Sequence, residues 1–105
     1  MRAGELDRKI VIETPTEGQD DYSSRTLTWA TFATVWAKVS PVRGRESVAA
    51  DRALAQADTV FRVYWLSGVT TKMRVSYDGQ YYDIQYVAEI GRREGLELSA
   101  RIQGA

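Results

Sequence analysis

Alternating apolar and polar positions run through much of this chain, most clearly on both sides of Asp78-Gly79. Asp-Gly is a strong signal for a two-residue hairpin, because a type I′ turn requires positive φ at both central residues. Side chains alternate between the two faces of a strand, so folding the chain here predicts one register. Its opposed pairs are Tyr77 and Gln80, Ser76 and Tyr81, Val75 and Tyr82, Arg74 and Asp83, and Met73 and Ile84.

This register puts the apolar pairs on one face and predicts an ion pair between Arg74 and Asp83 on the other. The same alternation predicts further strands, and a polar, turn-rich stretch at 15–25 predicts a mobile surface loop. The hairpin's second strand is expected to continue to Val87. The other predicted strands are 6–14, stopped by Pro15; 26–29, with 30–33 undecided; 34–39, ended by Pro41; 59–66; and 96–102 after a turn at 91–95.

One helix is predicted, over 45–58, because alanine is frequent there and favours helix. Ala50, Ala53, Leu54 and Ala57 follow the spacing of one helical face. Leu54 is the only large apolar side chain on that face, and a buried alanine methyl contributes only about 0.8 kcal/mol. The segment is therefore expected to be lightly docked or mobile.

These elements predict a mainly β protein, a small antiparallel β-barrel or rolled sheet of about six strands with one inserted short helix. Closing the sheet removes exposed edges, which favours the barrel. At 105 residues the chain is expected to be a single domain, residues 1–105, with the insertion at about 41–58.

Composition removes several classes of function. The chain has 14 basic and 14 acidic residues, and this neutral balance argues against broad attraction to phosphate or anionic lipid. It has no cysteine and no histidine, which disfavours zinc, haem and iron–sulfur sites and catalysis by Ser-His-Asp or Cys-His groups. No apolar run approaches the roughly 20 residues of a membrane span, and the cytoplasm is the default location.

Two groups of residues could carry chemistry. Glu17, Asp20 and Asp21 cluster in the predicted loop, but they lack the alternating ligands and bidentate glutamate of a calcium loop. Neither a metal nor a cofactor is expected, and a hydrolase is a distant third hypothesis because no carboxylate pair is marked as facing a cleft.

The second group combines tyrosines with arginines, and two interpretations of it remain open. On a barrel, it could form a base-stacking face for single-stranded nucleic acid. Alternatively, Tyr82 and Tyr86 lie in the core and only Tyr81 is clearly on the polar face. The group consists of Tyr64, Tyr77, Tyr81, Tyr82, Tyr86, Arg62 and Arg74.

An ordered set of local features resembles a known family. The chain opens with Met1-Arg2-Ala3-Gly4-Glu5-Leu6 and continues with Val35-Trp36-Ala37-Lys38-Val39 and Gly44-Arg45-Glu46; Phe61-Arg62-Val63, Lys72-Met73-Arg74-Val75, Asp78-Gly79 and Tyr82-Asp83-Ile84 follow. In this order they resemble the phage head–tail joining family, the head-closure (stopper) proteins of long-tailed bacteriophages and prophages.

The resemblance implies a non-enzymatic connector: a small β-barrel that forms a ring, dodecameric or hexameric, in the virion. Such a ring would bind the adaptor and portal above, close the DNA channel after packaging, and dock the tail completion protein below. DNA would pass without sequence-specific binding, no membrane would be involved, and assembly would take place in the host cytoplasm.

Protein-interface candidates come from exposed charges, aromatics and the thin helix. Arginines of one copy could meet the acidic loop of a neighbouring copy, although most surface charges are simply solvated. The candidates are Glu17, Asp20, Asp21, Tyr22, Trp36, Arg43, Arg45, Glu46, Leu54, Tyr64, Tyr81, Arg92 and Arg93.

Overall fold

The structure, a computed structural model, describes residues 3–19, 25–42 and 57–103, with side chains at 4–16, 28–42 and 57–103. A short 3₁₀ turn, Ala3–Glu5, precedes six strands. No α-helix lies in these ranges, and the helix predicted over 45–58 falls outside them except for its last two residues. The strands are β1 (Arg8–Gln19), β2 (Arg25–Pro41), β3 (Thr59–Tyr64), β4 (Arg74–Tyr77), β5 (Gln80–Ile90) and β6 (Gly95–Ile102).

The strands close into a barrel in the order β1-β2-β3-β6-β5-β4. Every neighbouring pair is antiparallel, including the pair of β4 with β1 that completes the circuit. Closure pairs the strand edges within the barrel wall. The predicted mainly β class and six-strand barrel are confirmed.

The Asp78-Gly79 turn has the predicted conformation and register. Asp78 has φ 53° and Gly79 has φ 77°, as a type I′ turn requires. Tyr77 lies opposite Gln80 and Arg74 lies opposite Asp83 in the backbone ladder. The hairpin connects β4 to β5 and directs one of its faces into the barrel.

Phe61 lies at the centre of the core and is fully buried. The rings of Tyr77 and Tyr82 meet it edge to face, with centroids 6.0 Å and 5.1 Å away. Such pairs add to the free energy of burial because ring edges and faces carry opposite partial charge. The surrounding buried cluster is Ile10, Ile12, Ala37, Val63, Met73, Val75, Ile84, Leu96, Leu98 and Ala100.

A bulge in β5 reverses the alternation that the sequence suggested for its second half. Ile84 pairs with Ala100 and Tyr86 pairs with Ser99, which leaves Gln85 as an extra residue. An extra residue shifts every later side chain to the opposite face. Tyr86 is therefore 40% exposed, and the interpretation that placed it in the core is wrong.

β1 and β2 extend beyond the barrel as a two-stranded ribbon, here called the arm. β4 pairs with β1 only over Val11–Glu13, and β3 pairs with β2 only from Ala37 onward. The arm consists of the six pairs from Thr14 and Ala30 to Gln19 and Arg25. The molecule measures 48 × 30 × 27 Å, in keeping with such an extension.

The arm corrects two predictions. Pro15 does not stop β1, because it pairs with Trp29 inside the ribbon, and residues 15–19 and 25 form strand where a loop was predicted. Proline lacks a backbone N–H, which is tolerated on a strand that has a neighbour on one side only. β2 is likewise one strand through the undecided residues 30–33, with an irregularity opposite the Ile12/Glu13 step.

Candidate interaction surface

An apolar cleft opens where β2 and β3 separate. Its volume is about 560 Å³, and its lining residues are Leu6, Val35, Trp36, Tyr64, Trp65 and Leu66. Trp36 is 56% exposed and Tyr64 is 48% exposed, the two largest exposed fractions among the large hydrophobic side chains described. A cleft with this lining offers apolar area to a partner.

Strand alternation brings Trp36 and Tyr64 to this cleft. Ala37 is buried on β2 and Val63 is buried on β3, so the residues next to them point outward. Ala37 and Val63 also form the terminal pair of the β2–β3 ladder. The two aromatic residues therefore lie side by side where the ladder ends.

Trp65 forms the polar rim of the cleft. Its indole Nε1 donates a hydrogen bond to Glu89 Oε1 at 3.2 Å, and the Arg93 guanidinium lies 5.1 Å from the centre of its ring. Its backbone N–H donates to the carbonyl of Glu94 at 3.3 Å. These contacts hold the 91–94 turn against the cleft and leave Arg92 and Arg93 exposed.

Arg74 is enclosed on the outer surface of the barrel where the arm begins. Its Nε donates to Glu13 Oε1 at 2.6 Å, and its guanidinium lies 4.1 Å from the Trp29 ring and 3.8 Å from the Tyr81 ring. The predicted ion pair with Asp83 is wrong. Closure places β1 beside β4, and Asp83 instead accepts a hydrogen bond from Gln103 Nε2 at 2.7 Å.

A smaller, polar recess lies on the outer wall of β2, β3 and β6. Arg62 Nε lies 3.0 Å from Glu97 Oε2 there, within a volume of about 310 Å³. Both arginines of the suggested base-stacking face are thus paired with a carboxylate, Arg62 with Glu97 and Arg74 with Glu13. Arg74 also covers the Tyr81 ring, which belongs to the same suggested face. The geometry gives less support to single-stranded nucleic-acid binding than to protein contact.

Tyr82 is the one described group with a clear shift in acidity. Burial beside Phe61 raises the pKa of its phenol above 10.0, and the negative charge of Asp58 raises that pKa further. Tyr77 and Asp78 contribute in the same direction. The Tyr82 ring is partly buried against the core cluster, so we relate this shift to the stability of the fold.

Three of the five interface candidates whose side chains are described lie at the cleft or its rim: Trp36, Tyr64 and Arg93. A fourth, Arg92, is exposed on the same turn as Arg93. The fifth, Tyr81, is 41% exposed but stacks on Arg74. Sequence reasoning missed the contribution of Leu6, Trp65 and Leu66, although an apolar pair directly before the Ser67-Gly68 turn is a usable signal. The candidates whose side chains fall outside the described residues are Glu17, Asp20, Asp21, Tyr22, Arg43, Arg45, Glu46 and Leu54.

The described ranges contain no group of three or more acidic residues, histidines or cysteines placed to hold a metal ion. They also contain no helix long and apolar enough to cross a membrane. The described ranges thus form a closed barrel that carries an apolar cleft and an enclosed arginine on its surface.

Residues 1–103 match the phage head completion protein family, and the chain belongs to this family. Membership indicates a structural role at the phage head–tail region and a location in the virion. This confirms the resemblance noted in the sequence. No match was found among curated proteins.

Two solved structures share the fold. Protein SF1141 from Shigella flexneri 2a is 22% identical, with 99% of this chain and 98% of that chain covered and a TM-score of 0.81. A chain in the virion of a native gene transfer agent particle is 20% identical, with 95% and 97% covered and a TM-score of 0.61. At these identities the likeness shows the barrel fold.

Proposed function

We propose that the protein is a ring subunit of the head–tail connector, hexameric or dodecameric, in which residues 1–105 act as one domain. The ring binds the portal and adaptor on the head side and the tail completion protein on the other. It closes the DNA channel after packaging, and DNA passes through it without sequence-specific contact. Subunits assemble in the cytoplasm of the host.

The observation that carries this proposal is the aromatic cleft on the barrel of a head completion protein. Trp36 and Tyr64 each leave about half of a large ring in solvent, and association can bury these rings. Aromatic residues are enriched at protein interfaces because they bury much area with few rotatable bonds. Arg93 and Glu89 at the rim add polar groups, as in other interfaces.

The proposal is tested by complementation of DNA-filled heads that were produced without this protein. The double variant Trp36→Ser, Tyr64→Ser is compared with the wild type for binding to these heads and for recovery of infectious particles. The matched control is Tyr86→Ser, since Tyr86 is an exposed aromatic residue on a different part of the wall.

We expect the double variant to fold, to bind heads at least tenfold more weakly, and to restore few particles, because hot-spot aromatic residues each cost about 2 kcal/mol or more when truncated. The control should behave like the wild type. Wild-type protein that neither binds heads nor restores infectivity would reject the connector role. Normal binding by the double variant would show that the cleft is not the contact.

A further inference from the structure

The arm has two outer edges that lack a backbone partner within the described residues. β4 leaves β1 after Glu13, and β3 joins β2 only at Ala37. The six pairs between these points join β1 and β2 to each other and to no other strand described. Within the part of the chain that the structure describes, each edge therefore presents N–H and C=O groups with which a further strand could pair.

A two-stranded ribbon is marginally stable in water, and three or more strands are needed for independent stability. The arm projects from the barrel, so the barrel core does not supply that support along its length. Pairing with another strand would satisfy the free backbone groups and add the missing neighbour.

The root of the arm is held in a fixed direction. Arg74 on β4 donates a hydrogen bond to Glu13, which is the last β1 residue that pairs with β4. Its guanidinium also stacks on Trp29, a β2 residue inside the arm. The side chains of Arg74 and Glu13 are largely buried, at 13% and 19% exposed. A strand held in place in advance loses less freedom when a partner adds to it.

The two edges differ in charge and in donors. Residues 14–19 contain one acidic residue, Glu17, and no basic one, whereas 25–30 contain one basic residue, Arg25, and no acidic one. Pro15 has no backbone N–H, so a strand that adds to the β1 edge forms one hydrogen bond fewer beside Pro15. This difference favours contact between β1 of one copy and β2 of the next, because that contact places an acidic strand beside a basic strand.

Rotation about a ring axis gives this contact the correct strand direction. β1 and β2 are antiparallel within each arm, so arms placed side by side in the same orientation continue the antiparallel alternation. A head-to-tail contact of this kind generates a closed ring when the rotation closes.

We propose that the free β2 edge of each arm binds the free β1 edge of a second copy of this chain. The arms then form one continuous antiparallel sheet around the ring. This inference deepens the proposed function and rests on ring assembly, while naming a contact separate from the aromatic cleft.

The test uses disulfide formation, since the natural chain has no cysteine. One variant carries Thr16→Cys on β1, and a second carries Thr28→Cys on β2 and a heavy-nitrogen label. These two residues are directly paired within one arm, so they lie at the same distance from the barrel along it. A second pair of variants, Thr14→Cys and Ala30→Cys, detects the same contact if the two strands are displaced by two residues. Arg101→Cys is the control, because Arg101 lies on β6 outside the arm.

Equal amounts of the two variants are assembled on heads and oxidised, and the dimers are identified by mass. We expect nearly all dimers to join a β1 cysteine to a β2 cysteine, because copies of one variant cannot bridge each other in this arrangement. The Arg101→Cys control should give few dimers. Mixed dimers at the one-half share of random pairing would overturn the inference.

Other occupants of the edge give different products. Dimers of the β2 variant alone would indicate symmetric pairing, and a cross-link to a different virion protein would indicate another partner; either overturns the inference. Protein bound to heads without arm cross-links also overturns it but leaves the connector role standing. Failure of the wild type to bind heads rejects both.

Discussion

Arg74 on β4 and Glu13 on β1 are joined by a 2.6 Å hydrogen bond between Nε and Oε1, with side chains only 13% and 19% exposed. Removing one partner leaves a largely buried charge without its bond. We expect Glu13→Ala to lower the free energy of unfolding by about 1.5–3 kcal/mol, the usual value for a hydrogen bond to a charged group. Urea unfolding of this variant, of an Arg74 variant and of the double variant measures the coupling energy between the two side chains.

Arg74→Lys is the Arg74 variant of this double-mutant cycle. Lysine keeps the charge but loses the planar group that stacks on Trp29 and Tyr81. Arg62→Lys is the matched control on a pair that is more exposed, at 49% and 31%. It should cost less than about 1 kcal/mol. Additive effects of the Glu13 and Arg74 changes would contradict the coupling.

Gly79→Val is expected to lower the free energy of unfolding by about 1–3 kcal/mol, because a β-branched residue must then adopt positive φ. A Cβ at Gly79 would meet no atom within 4 Å, so the cost is one of backbone conformation and not of collision. Gly4→Val is the control, since Gly4 is equally open and lacks positive φ. Equal melting temperatures for the two variants would contradict the assigned turn.

Phe61→Ala is expected to cost about 3–5 kcal/mol, because it removes a fully buried ring and leaves a cavity beside two tyrosines. Tyr86→Ala removes a ring of similar size from the outer wall and should cost far less. Chemical unfolding measures both. Comparable losses would show that the bulge at Gln85 does not turn Tyr86 outward.

Tyr82 predicts a loss of stability in alkali. Its pKa is raised in the fold by burial first and by Asp58 second, so folding favours the neutral phenol. This contribution is complete below the unfolded value of 10.0 and is lost as the pH rises through the higher folded value. Tyr82→Phe should reduce the fall in unfolding free energy between about pH 9 and about pH 11. Tyr86→Phe, the control, should retain that fall.

The sequence alone determined the β-hairpin, the last strand and most of the inward-facing residues. These features depend on neighbours along the chain: Asp78-Gly79 specifies its turn, and the period of two along 96–102 selects Leu96, Leu98 and Ala100 for the core. Family resemblance also followed from local order in the sequence. Exposure of Trp36 was predictable from alternation in the same way.

Only the tertiary structure decided which partner Arg74 takes, where Tyr86 points and how far β1 continues. Each depends on a neighbour distant in sequence: closure brings Glu13 beside β4, the bulge is defined against β6, and Pro15 is accommodated because β1 has one neighbour there. The aromatic cleft is likewise visible only once β2 and β3 separate. Local pattern specifies a strand's faces, but the arrangement of strands determines what those faces meet.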